Sequence, residues 1–137
     1  MIIDAKDLIM GRLATFAAKK ALLGETIDIV NCEFAIVSGD KQQVFSLYKQ
    51  KKERGTFKGP FFYRGPDRFV RRAIRGMLPY KQPKGSDAYK RIMCYNGIPE
   101  AFLGKEMISV KPAHVSKLPT KKYISVGEIC RKLGGKI

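Results

Sequence analysis

Gly11-Arg12-Leu13-Ala14-Thr15-Phe16-Ala17-Ala18-Lys19-Lys20-Ala21-Leu22-Leu23-Gly24, followed closely by Thr26-Ile27-Asp28-Ile29-Val30-Asn31-Cys32, decides the fold class. The first run predicts a helix over about 11–23, closed by Gly24, a residue suited to the position beyond a helix end. Ala14, Ala17, Ala18 and Ala21 permit close packing on a sheet, and Leu13, Phe16, Leu22 and Leu23 put bulk on several sides. The second run is rich in β-branched residues and reads as a strand. Upstream, Ile2-Ile3 reads as a short buried strand, joined to the helix through Asp4-Ala5-Lys6-Asp7. Strand, helix and strand in such a span make a βαβ unit, which implies parallel strands and a right-handed crossover. An α/β class follows.

Further along, 33–37 is open between a helical turn and another strand. After Ser38-Gly39-Asp40 a helix is expected over 41–53, with Val44, Phe45 and Tyr48 as its apolar stripe. A second decisive stretch is Gly65-Pro66-Asp67-Arg68-Phe69-Val70-Arg71-Arg72-Ala73-Ile74-Arg75-Gly76-Met77-Leu78-Pro79. Pro66 suits a first helical position, Asp67 complements the positive end of the helix dipole, and Pro79 stops the helix. At about 100° per residue, Phe69, Val70, Ala73, Ile74, Met77 and Leu78 fall on one half of the cylinder. Arg68, Arg71, Arg72 and Arg75 fall on the other.

Four like charges on one face repel by about 0.2–0.5 kcal/mol per neighbouring pair. No acid in the helix is placed to relieve all four. Such a face is either simply solvated, as most charge runs are, or completed by an external polyanion. Arginine favours the second reading, because its planar fork matches phosphate bidentately. The whole chain leans the same way. It has 137 residues, with 27 Lys and Arg against 12 Asp and Glu, a net charge of +15. Residues 40–91 hold 15 basic against four acidic side chains, whereas 1–39 hold four basic and five acidic. An acidic partner is therefore expected.

The segments flanking this helix extend the basic character. In 54–65, Arg54, Lys58 and Arg64 interleave with Phe57, Phe61, Phe62 and Tyr63. Rings on a basic loop can stack on unpaired bases while the cations hold phosphates. Equally, the phenylalanines can pin a long loop to the core; for Tyr63 both readings stand. After the helix, 80–85 reads as a basic turn bearing Lys81 and Lys84, and 86–91 as a short helix capped by Ser86 and ending in Arg91. Ile92-Met93-Cys94-Tyr95 reads as a strand, closed by Asn96-Gly97. No periodicity organises 104–122, which carries five lysines against Glu106. A short strand at Tyr123-Ile124 and a helix over 126–133 are expected to close the chain.

Catalytic and metal-binding patterns are missing. His114 stands alone in the irregular stretch and reads as a surface residue; Asp4 and Asp7 read as capping or Lys-pairing groups rather than a catalytic pair. Neither GxGxxG nor GxxxxGK[ST] occurs. Cys32, Cys94 and Cys130 are widely spaced and odd in number, which points to buried free thiols and a cytoplasmic setting. No run of 18 apolar residues and no signal-peptide pattern occur, so no membrane association is expected.

Several runs together resemble one family. Asp4-Ala5 with Gly11-Arg12-Leu13-Ala14 is similar to the opening of the large-subunit ribosomal protein L-thirteen family. Ile29-Val30-Asn31-Cys32-Glu33 with Ser38-Gly39-Asp40-Lys41, and above all Arg72-Ala73-Ile74-Arg75-Gly76-Met77-Leu78-Pro79, resemble its later motifs. Tyr95-Asn96-Gly97-Ile98-Pro99 and Ile124-Ser125-Val126-Gly127-Glu128-Ile129 resemble its archaeal and eukaryotic branch. The resemblance implies a three-layer α/β/α domain around a four-stranded, mainly parallel sheet, with basic loops and a C-terminal extension. It also implies a structural, rRNA-binding role in the large ribosomal subunit, a part in subunit assembly, neighbouring ribosomal proteins, and no cofactor or catalysis.

One domain over 1–137 is expected. The residues expected to meet RNA are Arg54, Lys58, Tyr63, Arg64, Arg68, Arg71, Arg72, Arg75, Lys81, Lys84 and Arg91. Neither a metal nor a small-molecule substrate is expected. The competing readings are an RNA-modifying enzyme on an α/β scaffold, a basic protein–protein adaptor, and an mRNA-binding protein acting outside the ribosome.

Overall fold

The computed structural model describes residues 1–54 and 63–135. Lys58, Phe57, Phe61 and Phe62 therefore lie outside the described residues. The elements in order are β1 (Ile2–Asp4), α1 (Met10–Leu22), β2 (Ile27–Val30), β3 (Ile36–Ser38), α2 (Lys41–Glu53), α3 (Pro66–Gly76), α4 (Pro83–Lys90), β4 (Ile92–Cys94), β5 (Tyr123–Ser125) and α5 (Val126–Lys132).

β1, α1 and β2 form the expected βαβ unit, and the strands pair in parallel with Ile3 opposite Ile29. β4 joins on the other side of β2, also parallel, with Ile29 opposite Cys94. Ile3, Ile27, Ile29, Ile92 and Cys94 share the buried face of this β1-β2-β4 sheet. α1 lies against α3 and α4, and α3 against β4 and α5. The alanine stripe of α1 is buried, but Leu22 and Leu23 are exposed, so this helix is covered along one side only.

Two parts of the expected architecture differ. Among the described residues the parallel sheet has three strands, and β3 and β5 form a separate antiparallel pair. The fourth position, outside β1, is held by one residue: Ile108 bridges Ile3, its carbonyl accepting from Asp4 N at 3.0 Å and its N–H donating to Ile2 O at 2.8 Å. The second face of the sheet is not evenly covered either. Ile2, Asp28 and Met93 align across it, and Met93 is 43% exposed. A parallel sheet buried on both faces needs continuous apolar strands. Asp28 breaks that run in β2, with its carboxylate beside the Tyr95 hydroxyl.

Local differences have local causes. The open segment 33–37 is both things read from it: a 3-10 turn at Cys32–Phe34, then β3. α4 starts at Pro83, not at Ser86. Proline at the first position pre-sets the helical φ, and Gly85 sits so tightly on the Pro79 carbonyl that a Cβ would collide with it. Ser86 is thus inside the helix, its N–H bonded to Gln82 O at 3.0 Å. The aperiodic stretch 104–122 is strapped to the N-terminal segment by main-chain bonds: Ile9 N to Ala113 O at 2.7 Å, Val115 N to Asp7 O at 2.9 Å, and Gly39 N to Lys122 O at 2.8 Å. Its order comes from backbone pairing and from buried Val110 and Ala113, not from periodicity. Asp4 accepts from Lys6 N at 3.0 Å and Asn31 Nδ2 at 3.0 Å, a turn-stabilising role. His114 caps the 3-10 turn at Val115–Lys117, its Nδ1 accepting from Ser116 N at 3.1 Å.

Cys32, Cys94 and Cys130 are buried free thiols. The adjoining Cys94 thiol and burial hold Cys32 far above the ordinary thiol range. Burial pushes Cys130 up to about 12.

Two predictions follow from the packing. Gly85→Ala should lower the unfolding free energy by about 1–3 kcal/mol, because α4 must shift off Pro79. Gly11→Ala, in α1 with open space around its Cα, should raise it by about 0.5–1 kcal/mol. Urea denaturation of the two variants checks both signs. The thiols make a third prediction. A group that folding makes harder to ionise stabilises fully below its unfolded pKa, and that stability is lost as pH rises toward the folded value. Under reducing conditions, stability should therefore fall between about pH 9 and 12 by about 1.4 kcal/mol per pH unit for each such thiol. Cys130→Ala should show the shallower decline.

Candidate nucleic-acid interface

α3 is built as its periodicity requires. Gly65 caps it, Pro66 opens it, and Phe69, Val70 and Ile74 are buried, with Leu78 buried just beyond its end. Ala73 is half-buried. Met77, expected in the core, is 45% exposed because the helix ends at Gly76; its Sδ accepts from Thr15 Oγ1 at 3.4 Å. The opposite half presents the four arginines, which do three different things.

Arg68 and Arg72 are exposed. Arg75 lays its guanidinium on the Tyr80 ring, 4.1 Å from the centroid. Arg71 is drawn inward. Its Nε donates to Ile92 O at 2.9 Å and its Nη2 to Tyr89 O at 3.1 Å, and its guanidinium lies 3.9 Å from the Tyr89 ring centroid. β4 faces β2 through Arg91 O and Tyr95 N, so the Ile92 carbonyl between them points to the outer edge of the sheet. Tyr89 O is among the last carbonyls of α4, which lack helical partners. Arg71 thus ties α3 to a sheet edge and to a helix end.

Other cations are used the same way. Arg91 Nη1 donates to Ala21 O at 2.9 Å at the C-terminus of α1, and Lys52 Nζ to Leu133 O at 2.7 Å at the C-terminus of α5. Cations belong at these negative dipole ends. Arg71 and Arg91, both in the set expected to meet RNA, therefore also have partners on the chain itself. The remaining described members of the expected set stay outward. Arg54, Tyr63, Arg64, Lys81 and Lys84 are exposed. Arg64 lies against the C-terminal glycines, where a Cβ on Gly135 would run into its carbonyl. Among the described residues, no Lys or Arg nitrogen lies within 4.0 Å of a carboxylate oxygen.

Two grooves flank α3, and Tyr63 borders both. One, of about 350 Å³, lies beside β4 and is lined by Tyr63, Asp67, Arg68, Arg71, Tyr89, Met93 and Cys94. The other, of about 360 Å³, brings Arg72 beside Lys51, whose Nζ lies 5.0 Å from the Tyr48 ring centroid. Lys51, Asp67 and Tyr89 were missed as site residues by sequence reading. Tyr48 and Lys51 stand one helical turn apart, a spacing that was legible. Nothing in the sequence aligned Tyr89 with Arg71.

The comparisons accord with this geometry. The family model described as Ribosomal protein L13 matches residues 1–101. A protein of Methanococcoides burtonii named large ribosomal subunit protein uL13 is 46% identical over 136 residues, covering 98% of each chain. Proteins of the same name from Archaeoglobus fulgidus and Natronomonas pharaonis are 44% and 35% identical, covering 97% and 100% of this chain and 86% and 92% of their own. With the family model spanning most of its length and these relatives nearly all of it, the chain belongs to the ribosomal protein L13 family.

Proposed function

We propose that this protein is a structural constituent of the large ribosomal subunit, not an enzyme, and that it binds large-subunit rRNA through the outward half of α3 and the segments around it. One observation carries the reading: Arg68 and Arg72 are exposed side by side and, among the described residues, neither has a carboxylate oxygen within 4.0 Å. Phosphate supplies the missing charge, and the arginine fork suits it. Arg75 is braced on Tyr80, and Arg54, Arg64, Lys81 and Lys84 broaden the surface. Lys51 joins Arg72 in the second groove. Arg71 and Arg91 belong to the proposed set as well, and also hold the elements that present it. Lys58 belongs to the proposed set by its place in the basic loop.

Binding of this kind is led by shape and phosphate and carries a steep salt dependence, with a log–log slope of about −0.7 to −0.9 per phosphate neutralised. The protein acts at the ribosome, beside other large-subunit proteins, and supports subunit assembly by neutralising RNA segments that must approach one another. No small molecule and no membrane enters this role; among the described residues no helix is long and apolar enough to cross a membrane.

Substitutions on the two sides of this surface are expected to behave differently. Arg68→Glu with Arg72→Glu should change stability by only about 0.5 kcal/mol per site, yet weaken rRNA binding at least about tenfold and flatten the salt slope by about 1.4–1.8. Filter binding across a salt series, with urea denaturation alongside, measures both. Unchanged affinity would refute the proposed surface. Arg71→Ala, by contrast, should cost about 2–4 kcal/mol of stability, since two carbonyls lose a charged donor and the Tyr89 ring its cation.

A further inference from the structure

The groove beside β4 differs from a phosphate-binding surface in one respect. Asp67 lines it, together with Arg68, Arg71, Tyr63 and Tyr89. A carboxylate facing a polyanion is repelled unless the ligand brings N–H donors to it. Its place in the first turn of α3 lets the helix dipole stabilise the charge; it does not account for the groove. At about 350 Å³ the space falls in the range of small-ligand sites, about 300–1,000 Å³.

The walls suit a flat heterocycle. The Arg71 guanidinium rests with one face on the Tyr89 ring at 3.9 Å and is locked by bonds to Ile92 O and Tyr89 O. Tyr89 covers only one face of that plane, and Arg71 also lines the groove. A guanidinium already immobilised makes a stacking platform that loses little freedom on binding. Tyr63, 41% exposed, supplies a second ring at the rim. Arg68, exposed beside it, is placed for the phosphate attached to the same nucleotide.

Resting on the RNA-binding reading, we infer that this groove takes one unpaired guanine. The base stacks on the Arg71–Tyr89 pair and Tyr63, and Asp67 accepts hydrogen bonds from its Watson–Crick edge. Guanine alone of the four bases offers two adjacent donors there, N1–H and the N2 amino group, which match the two oxygens of a carboxylate. Adenine and cytosine present a donor next to an acceptor, and uracil a single donor between two acceptors. A base-specific contact thus sits within a surface that otherwise reads phosphates.

The test is titration of the 15N-labelled full chain at low salt with the RNA pentamers UUGUU, UUAUU and UUUUU, followed by amide chemical shifts. UUGUU is expected to bind at least about tenfold more tightly than the other two, as for a bidentate base contact. It should also shift the resonances of Asp67, Arg68 and Met93. Asp67→Asn should erase the preference for guanine while leaving UUUUU binding in place, and Tyr63→Ala should weaken UUGUU several-fold. Equal, salt-sensitive binding of all three pentamers overturns the guanine site and leaves the broader RNA-binding reading standing. So does rRNA binding without any pentamer binding. If neither the pentamers nor large-subunit rRNA binds, the broader reading falls as well. The wild-type comparison alone decides, whatever the stability of the variants.

Discussion

The Arg71 guanidinium is the tie on which the presentation of the basic surface depends. α3 reaches the sheet beside β4, a three-residue strand that, among the described residues, has no strand on its outer edge. A free edge leaves backbone groups without partners, as does the end of a helix. One side chain meets both needs, bonding Ile92 O on the edge and Tyr89 O at the end of α4. Tyr89 then covers one face of the cation. This fixes the roll of α3 about its axis, and so the direction in which Arg68 and Arg72 leave it.

The same division of labour runs through the molecule. A chain with charge +15 cannot pair its cations internally, and among the described residues no ion pair is formed. Some of the excess is taken up by helix dipoles: Arg91 at the end of α1, Lys52 at the end of α5. Some rests on aromatic rings, as Arg75 does on Tyr80. The remaining described cations are spread over the exposed surface, Arg68 and Arg72 on α3 among them, and phosphate is the partner proposed for these two. Membership of the ribosomal protein L13 family gives that surplus its setting.

Much of this was legible beforehand. The helix 41–53 has its read boundaries, since Asp40 caps it, accepting from Gln42 N at 2.9 Å. The βαβ unit followed from Gly24 and the β-branched run at 27–30, and the two halves of α3 from its periodicity. Asp28 in β2 is compatible with a sheet face left partly open, whereas the three-layer arrangement was implied by the family resemblance alone. The start of α4 was misplaced because Ser86 looks like a cap, while the packing of Gly85 on Pro79 involves atoms brought together by a chain reversal. In 104–122 order comes from hydrogen bonds to β1 and its following turn, about a hundred residues away along the chain, and leaves no periodic trace.

Local rules, then, determined the elements, the polarity of each face, the excess of positive charge and the family. These depend on side-chain type and on spacing within one helix or strand, which a linear chain displays directly. Tertiary structure alone decided which arginines are tied to backbone and rings within the protein and which are left exposed. Arg71 and Arg72 are neighbours of identical chemistry, yet a rotation of about 100° between successive residues sends one onto a sheet edge and the other into solvent. That outcome depends on where β4 and α4 arrive in space, a relation between distant segments that no neighbouring residue encodes.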